Sequence, residues 1–133
     1  MSLAYLLDTN IVIALLRGAT PPTRQRFRDA EGRIAVSVIT AMELEYGAER
    51  SSDPCGNRRS VEELLSLVEV LPFDRAAAEN AGRLRAKLAA QGTPIGPFDS
   101  LIAGHARSRG LVVVTNNTRE FDRVPGLQVE DWL

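Results

Sequence analysis

Short apolar runs and longer amphipathic stretches alternate along the chain. The apolar runs are rich in β-branched and aliphatic residues, which is typical of buried strands. The predicted strands are Tyr5–Leu7, Ile34–Val38, Val70–Phe73, Leu111–Thr115 and Leu127–Val129. Strands separated by helices favour an α/β fold with a mostly parallel central sheet covered by helices on both faces. The pattern therefore predicts that ligands bind beyond the carboxyl ends of the strands.

The stretches between these strands carry apolar residues three or four positions apart, which predicts helices. The first five predicted helices are Ile11–Leu16, Thr23–Ala30, Ile39–Arg50, Arg58–Val70 and one capped by Asp74 that runs through Ala90. A stiff Pro-Gly-Pro turn then starts a helix over Phe98–Ser108, which Gly110 ends. Ser51–Asn57 has the composition of a loop.

The length and composition argue against several classes of protein. A chain of 133 residues is expected to form one domain, residues 1–133. Cys55 and His105 are the only residues of their kinds, which argues against a disulfide framework and a four-ligand zinc site. The apolar runs are too short to cross a membrane and no secretion signal is recognisable, so we expect a cytoplasmic protein. The net charge of −1 argues against a strongly basic nucleic-acid binder.

Acidic side chains stand where the predicted elements meet one edge of the sheet. Asp8 ends the first strand, Glu43 lies one turn into the helix after the second strand, and Asp99 opens the helix before the strongest strand. Thr115 and Asn117 stand where that strand ends. Hard divalent cations such as magnesium prefer oxygen ligands, and they activate water for attack on phosphodiesters. The acidic residues therefore suggest a metal-dependent phosphodiester hydrolase.

Each acidic residue also has a structural alternative that its spacing leaves open. Asp8 could cap the following helix. Thr40 and Glu43 have the spacing of a capping box. Asp99 at a helix start is favoured by the helix dipole alone.

Several segments together resemble the VapC-type toxins of bacterial toxin–antitoxin modules, which are PIN-domain ribonucleases. The matching segments are residues 5–11 (YLLDTNI), 43–48 (ELEYGA), 96–106 (GPFDSLIAGHA), 114–121 (VTNNTREF), 124–127 (VPGL) and 130–133 (EDWL). The resemblance covers essentially the whole chain. It implies a three-layer α/β/α sandwich that cleaves RNA, tRNA in many members, with Mg²⁺ or Mn²⁺. It also implies a homodimer held in check by a VapB-type antitoxin.

The resemblance also assigns roles to residues. Asp8, Glu43 and Asp99 match the acidic catalytic positions, with Asp8 and Asp99 as metal ligands. Asn117 stands where many PIN domains carry a further Asp, so Glu120 is expected to supply the fourth catalytic carboxylate. The residues expected to contact substrate or its bound waters are Asn10, Thr115 and Asn117.

Two alternatives from other classes fit the sequence less well. In a haloacid-dehalogenase-like phosphatase, Asp8 would be the nucleophile. The second alternative is a non-catalytic receiver-like signalling or interaction module. Both would need a second acid near Asp8, where the chain has Asn10. Both would also need a lysine at the site, but Lys87 lies in the middle of a helix.

Other residues have weaker expectations. His105 lies six positions after Asp99 in one helix, so we expect it to be structural rather than a general base. Cys55 is expected to be an inert loop residue. Four arginines near the expected site could hold the RNA backbone: Arg107, Arg109, Arg119 and Arg123.

Overall fold

A computed structural model describes residues 2–133 as five strands and seven helices. The strands are β1 (Tyr5–Leu7), β2 (Ile34–Ser37), β3 (Glu69–Leu71), β4 (Val112–Val114) and β5 (Val129–Glu130). The helices are α1 (Thr9–Leu16), α2 (Pro21–Asp29), α3 (Val38–Glu49), α4 (Pro54–Leu65), α5 (Arg75–Ala90), α6 (Pro97–Arg109) and α7 (Thr118–Phe121).

The five strands form one sheet in which every neighbouring pair is parallel. Their order is β3-β2-β1-β4-β5, so the chain moves outward from β1 to one edge before crossing to the other side. Leu6 of β1 lies beside Ala35 of β2 and Val113 of β4. This confirms the parallel α/β sheet, and it puts β1 at the centre, where the strand order reverses. Ligand sites of open parallel sheets form beyond this point.

Adjacent residues of β1 point to opposite faces of the sheet, and each face has its own core. Leu6 packs with the apolar faces of α5 and α6, which contribute Leu84 and Ile102. Leu7 packs instead with apolar residues of α1, α3 and α4, among them Ile11 of α1. Helices cover both faces, so the predicted three-layer α/β/α sandwich is confirmed.

Helices α5 and α6 approach each other closely at a glycine. A Cβ added to Gly104 would lie 2.5 Å from the backbone nitrogen of Ala81. No side chain fits at that distance, because real Cβ atoms do not come so close to backbone atoms. The close contact fixes α6, the helix that begins beside the acidic residues.

The loop predicted over Ser51–Asn57 is wrong, because α4 already begins at Pro54. Asp53 caps this helix, its carboxylate accepting the Gly56 N–H at 3.1 Å. A proline at the first helical position suits such a start, because the missing N–H has no partner there. Cys55 is consequently an exposed helical residue rather than a loop residue.

One further helix boundary and one short helix differ from the prediction. The helix predicted to continue to Val70 ends at Leu65, because β3 starts at Glu69. The short helix α7 was not predicted at all. No helix in residues 2–133 combines the length and the apolar character that a bilayer crossing needs.

Candidate acidic active site

Asp8 directly follows β1 and is almost completely buried, with 4% of its surface exposed. Its Oδ1 accepts the Thr9 N–H at 2.8 Å, and its Oδ2 accepts the Thr115 hydroxyl at 2.9 Å. Asp8 therefore caps α1 and faces the site at once, so the structural alternative and the functional one coincide at this residue. The two donors fix the orientation of the carboxylate.

Glu43 reaches the site from α3. Its Oε1 accepts the Thr9 hydroxyl at 2.8 Å, and the Thr40 hydroxyl lies 3.1 Å from that of Thr9. The capping-box alternative is wrong, because Ser37 caps α3 and its Oγ accepts the Ile39 N–H at 3.1 Å. Glu43 is thus held by a residue of α1 rather than by its own helix start.

Asp99 and Glu120 are joined through Asn117. The Asn117 side-chain amide donates to Asp99 Oδ2 at 3.2 Å and to Glu120 Oε2 at 3.0 Å. A neutral amide can serve both carboxylates as a donor, whereas an aspartate in its place would add a further negative charge. This geometry gives a physical reason for the departure from the aspartate that many PIN domains carry.

The four carboxylates define the acidic cluster: Asp8, Glu43, Asp99 and Glu120. Burial raises the pKa of Asp8, and its hydrogen bonds with Thr115 and Thr9 oppose that rise. Burial, a hydrogen bond with Glu120 and the charges of the other members raise the pKa of Asp99 to about 7. The pKa of Glu120 is lowered, chiefly by its hydrogen bond with Asp99.

The carboxylates of the acidic cluster are not in ion pairs within residues 2–133. No Lys or Arg among residues 2–133 forms an ion pair with any of its four members. Clustered carboxylates without a counter-charge repel one another. Among residues 2–133, no group of three Asp, Glu, His or Cys side chains is positioned closely enough to hold a metal ion as it stands. All-oxygen donors that leave room for water suit a magnesium-like cation, which takes only one or two protein carboxylates.

The predicted substrate contacts occupy different environments. Asn10 is exposed in the first turn of α1, and Asn117 is half-buried between Asp99 and Glu120. Thr115 is completely buried, and its hydroxyl donates to Asp8 and accepts the Asn117 N–H at 2.9 Å. Thr115 therefore orients Asp8, and the expectation that it contacts substrate directly is not supported by its position.

Sequence reasoning missed the contact between Thr9 and Glu43. The two residues are thirty-four positions apart, and only the packing of α1 beside α3 brings them together. The sequence does carry a signal for this contact. Thr9 directly follows Asp8, and Thr40 lies three positions before Glu43. The spacing of Thr40 and Glu43 also fits a capping box, which α3 does not form.

His105 is buried on α6, with 1% of its surface exposed, as expected for a structural residue. Two of the four arginines expected to hold RNA lie away from the acidic residues. Arg107 lies about 12 Å along α6 from Asp99, and it donates to Asn80 and to the Pro125 carbonyl. Arg109 lies two residues beyond Arg107, about half a helical turn further along α6 from Asp99. Arg123 is close, since its charge contributes to the lowered pKa of Glu120.

The parallel sheet and the acidic cluster at its carboxyl edge define a hydrolase-like α/β domain, and comparisons with known proteins specify the family. The PIN domain profile matches residues 5–127. The tRNA(fMet)-specific endonuclease VapC of Shigella flexneri is 52% identical over 130 residues, which is 98% of each chain. Ribonuclease VapC2 of Haemophilus influenzae is 44% identical over 98% of this chain and 99% of its own.

Solved structures agree with these relatives. A chain of the DNA-bound VapBC structure from Salmonella typhimurium superposes with a TM-score of 0.95 and is 51% identical, over 98% of this chain and 99% of that chain. The VapBC2 structure from Rickettsia felis, bound to a promoter fragment, gives 0.93 at 32% identity over both full chains. The chain therefore belongs to the PIN-domain family, as a VapC-type ribonuclease toxin. This assignment replaces the phosphatase and receiver alternatives.

Proposed function

We propose that the acidic cluster holds Mg²⁺ or Mn²⁺ and cleaves RNA there. Asp8 and Asp99 are the proposed metal ligands, and Glu43 and Glu120 complete the catalytic set. The observation that carries this proposal is the gathering of four carboxylates, none of them in an ion pair within the described part of the chain, in which burial first and then the neighbouring acidic groups raise the pKa of Asp99 to about 7. A divalent cation is the partner that such a cluster favours.

The side chains around the cluster have distinct tasks. Thr9 and Thr115 hold Asp8 with both oxygens engaged. Asn117 donates to both Asp99 and Glu120 and keeps the two carboxylates at a fixed separation, in which Asp99 would hold the cation. When bound, the cation supplies charge stabilisation at the phosphoryl oxygen and lowers the pKa of bound water. Glu43, held on one side only by Thr9, is free to orient the attacking water.

The proposed substrate is a structured RNA, and tRNA is the first candidate. The Shigella flexneri relative is named for its action on tRNA(fMet). Four carboxylates repel phosphates, so a metal ion is needed before an RNA backbone can approach the cluster. Asn10, exposed beside Asp8, is the proposed contact to the RNA, together with Arg119 and Arg123 of the segment around α7.

Incubation of the purified protein with total cellular RNA, followed by mapping of new ends, tests this function. We expect cleavage in Mg²⁺ or Mn²⁺ at a small set of sites, and none in excess chelator. Glu79→Gln is a matched control, because Glu79 is a carboxylate that pairs with Arg75 on the surface of α5. Cleavage that persists in chelator would exclude the metal mechanism.

We further propose that a VapB-type antitoxin closes the site. A groove of about 260 Å³ runs between α1, α3 and α4, and Glu43 lies at its edge. Its apolar lining includes Ile13, Leu16 and Leu44. An apolar segment of the partner is expected to fill this groove, and a partner arginine or lysine to enter the acidic cluster with charge-assisted hydrogen bonds. A purified complex that leaves the cluster open and the nuclease active would contradict this.

A homodimer is the proposed state of the free protein. Three apolar side chains, Val38, Met42 and Tyr46, follow one face of α3 at four-residue spacing and are 42%, 45% and 59% exposed. A stripe of this kind can pair with its own copy about a two-fold axis. Met42→Glu should convert the dimer into a monomer in analytical ultracentrifugation. An unchanged mass would place any dimer interface elsewhere.

A further inference from the structure

One buried hydrogen bond outside the acidic cluster joins the two helices that carry Glu43 and Asp99. Ser37 Oγ and His105 Nδ1 lie 2.8 Å apart, and these residues are 0% and 1% exposed. Ser37 ends β2 and caps α3 by accepting the Ile39 N–H. Its hydroxyl hydrogen remains available for His105 Nδ1. His105 therefore holds the start of α3 against the middle of α6.

The two helices carry their carboxylates at equal distances from this bond. Glu43 lies six positions after Ser37, and Asp99 lies six positions before His105. Each interval corresponds to about 9 Å along its helix axis. A rotation of one helix by about 10° at the bond would move its carboxylate by roughly 1.6 Å over that lever arm. Misplacement by about 1 Å is enough to cost about 100-fold in rate at a catalytic site.

We propose that Ser37 and His105 are positioning residues whose hydrogen bond sets the separation between the Glu43 and Asp99 carboxylates. This inference rests on the proposed function, because that separation matters only if Asp99 holds the cation while Glu43 orients the attacking water. Neither residue contacts the reacting atoms.

The surroundings of His105 suit a neutral ring that keeps a constant position. Phe73 packs edge-on against it, with ring centroids 5.3 Å apart. Asp74 and Arg109 are the charged groups near the ring, and they act on its pKa in opposite directions. Burial lowers the pKa of His105, so the ring stays neutral and Nδ1 can accept the Ser37 hydroxyl. An apolar residue of similar size would fill the space but lose the hydrogen bond.

The test compares His105→Leu, which removes the bond, with His105→Asn, whose side chain can still bond to Ser37. For H105L we expect kcat for RNA cleavage to fall about 10- to 100-fold, as for other groups that orient site residues. KM for RNA should stay within about twofold, because the RNA contacts are untouched. The Kd for Mn²⁺, measured without RNA, should rise about tenfold. H105N should recover most of both losses.

Ile102→Val is the matched control, because Ile102 is a buried residue of the same helix that makes no hydrogen bond through its side chain. It should lower the melting temperature with little change in kcat or in the Kd for Mn²⁺. An equal loss in I102V, or wild-type values in H105L, would overturn the proposal. If H105L does not fold, Ser37→Ala against Ser37→Thr gives the same comparison, and full activity in S37A overturns it.

Failure of this inference is distinguishable from failure of the proposed function. If the wild-type protein cleaves no RNA, the proposed function fails. The Kd for Mn²⁺ still ranks the His105 variants in that case. A Kd that is the same in H105L, H105N and wild type would reject the positioning role on its own.

Discussion

The two halves of α6 pack in opposite ways. Around Gly104 the helix is pressed against the backbone and Cβ of Ala81, with no space for a side chain. Five positions earlier, Asp99 stands among carboxylates that repel it. Close packing in one half offsets the repulsion in the other, since functional sites commonly store strain that the rest of the fold must counter. Substitutions in the two halves should therefore separate stability from activity.

Asp99→Asn should have the largest effect, on activity. Loss of a metal-binding carboxylate should reduce RNA cleavage by about 1,000-fold or more, because cation stabilisation of the phosphoryl charge is worth several kcal/mol. Stability in chelator should be unchanged or higher, since one repelling charge is gone while the shape is kept. Cleavage assays in Mg²⁺ and thermal unfolding in chelator measure the two effects.

The dipole alternative for Asp99 predicts the opposite pattern. Cleavage would be retained, and stability would fall by about 0.3–1 kcal/mol as the favourable interaction with the helix start is lost. That combination would remove Asp99 from the site.

Gly104→Ala should have the largest effect on stability. The new methyl group meets the backbone of Ala81, so the helices must separate, at a cost of about 1–3 kcal/mol. Gly82→Ala is a close control. Gly82 directly follows Ala81 on α5, but the space around its Cβ position is open. That substitution should raise stability by up to about 1 kcal/mol through helix propensity. Urea unfolding of both variants gives the comparison, and equal stabilities would show that the contact is not tight.

Thr115→Val should reduce cleavage about tenfold, because it removes a donor that orients Asp8 while keeping the side-chain shape. Thr115→Ser keeps the hydroxyl and should retain most of the rate. Steady-state cleavage of a defined RNA compares the two variants. Equal rates for Val and Ser would mean that Asp8 needs no partner at Oδ2.

The centre of the sheet was predictable because β1 and β4 lie within continuous apolar runs, and Asp8 and Asp99 because each stands next to a strand or a helix start. Contacts that depend on how the helices cross were not predictable. Thr40 shows the difference, since its spacing from Glu43 fits a capping box that α3 does not form. The start of α4 was missed because Pro54, Gly56 and Asn57 have loop composition, yet Asp53 caps a helix there.

The roles of Ser37 and His105 also lay beyond the sequence. Each has an ordinary local explanation, as a cap and as an apolar-face histidine. Their hydrogen bond joins positions sixty-eight residues apart. Only the packing of α6 beside the start of α3 brings them together.

The smallest expected effect is a pH dependence of stability in chelator. The pKa of Asp99 is raised from 3.8 to about 7 in the folded protein. Folding is therefore favoured by the protonated form at low pH, and that contribution is lost as the pH rises from about 4 through 7. Solvent screening of this half-buried group keeps the effect on the order of 1 kcal/mol or less.

The difference in unfolding free energy between wild type and Asp99→Asn reports this contribution together with that of Glu120, whose lowered pKa depends chiefly on Asp99. His105, whose lowered pKa acts in the opposite direction, is common to both proteins and cancels. We expect wild type to lose stability relative to D99N between pH 4 and 7 and to level off above. A difference that does not change with pH would mean that the pKa of Asp99 is not raised in the folded protein.

The most direct test of the account is the binding of Mn²⁺ to metal-free protein at pH 7.5, followed by the loss of the free-ion spin-resonance signal. The account predicts saturable binding by wild type, with the Kd raised at least about tenfold in Asp99→Asn and unchanged in the surface control Glu79→Gln. Equal Mn²⁺ binding by wild type and D99N would contradict it, because the acidic cluster would then not be the site that holds the cation.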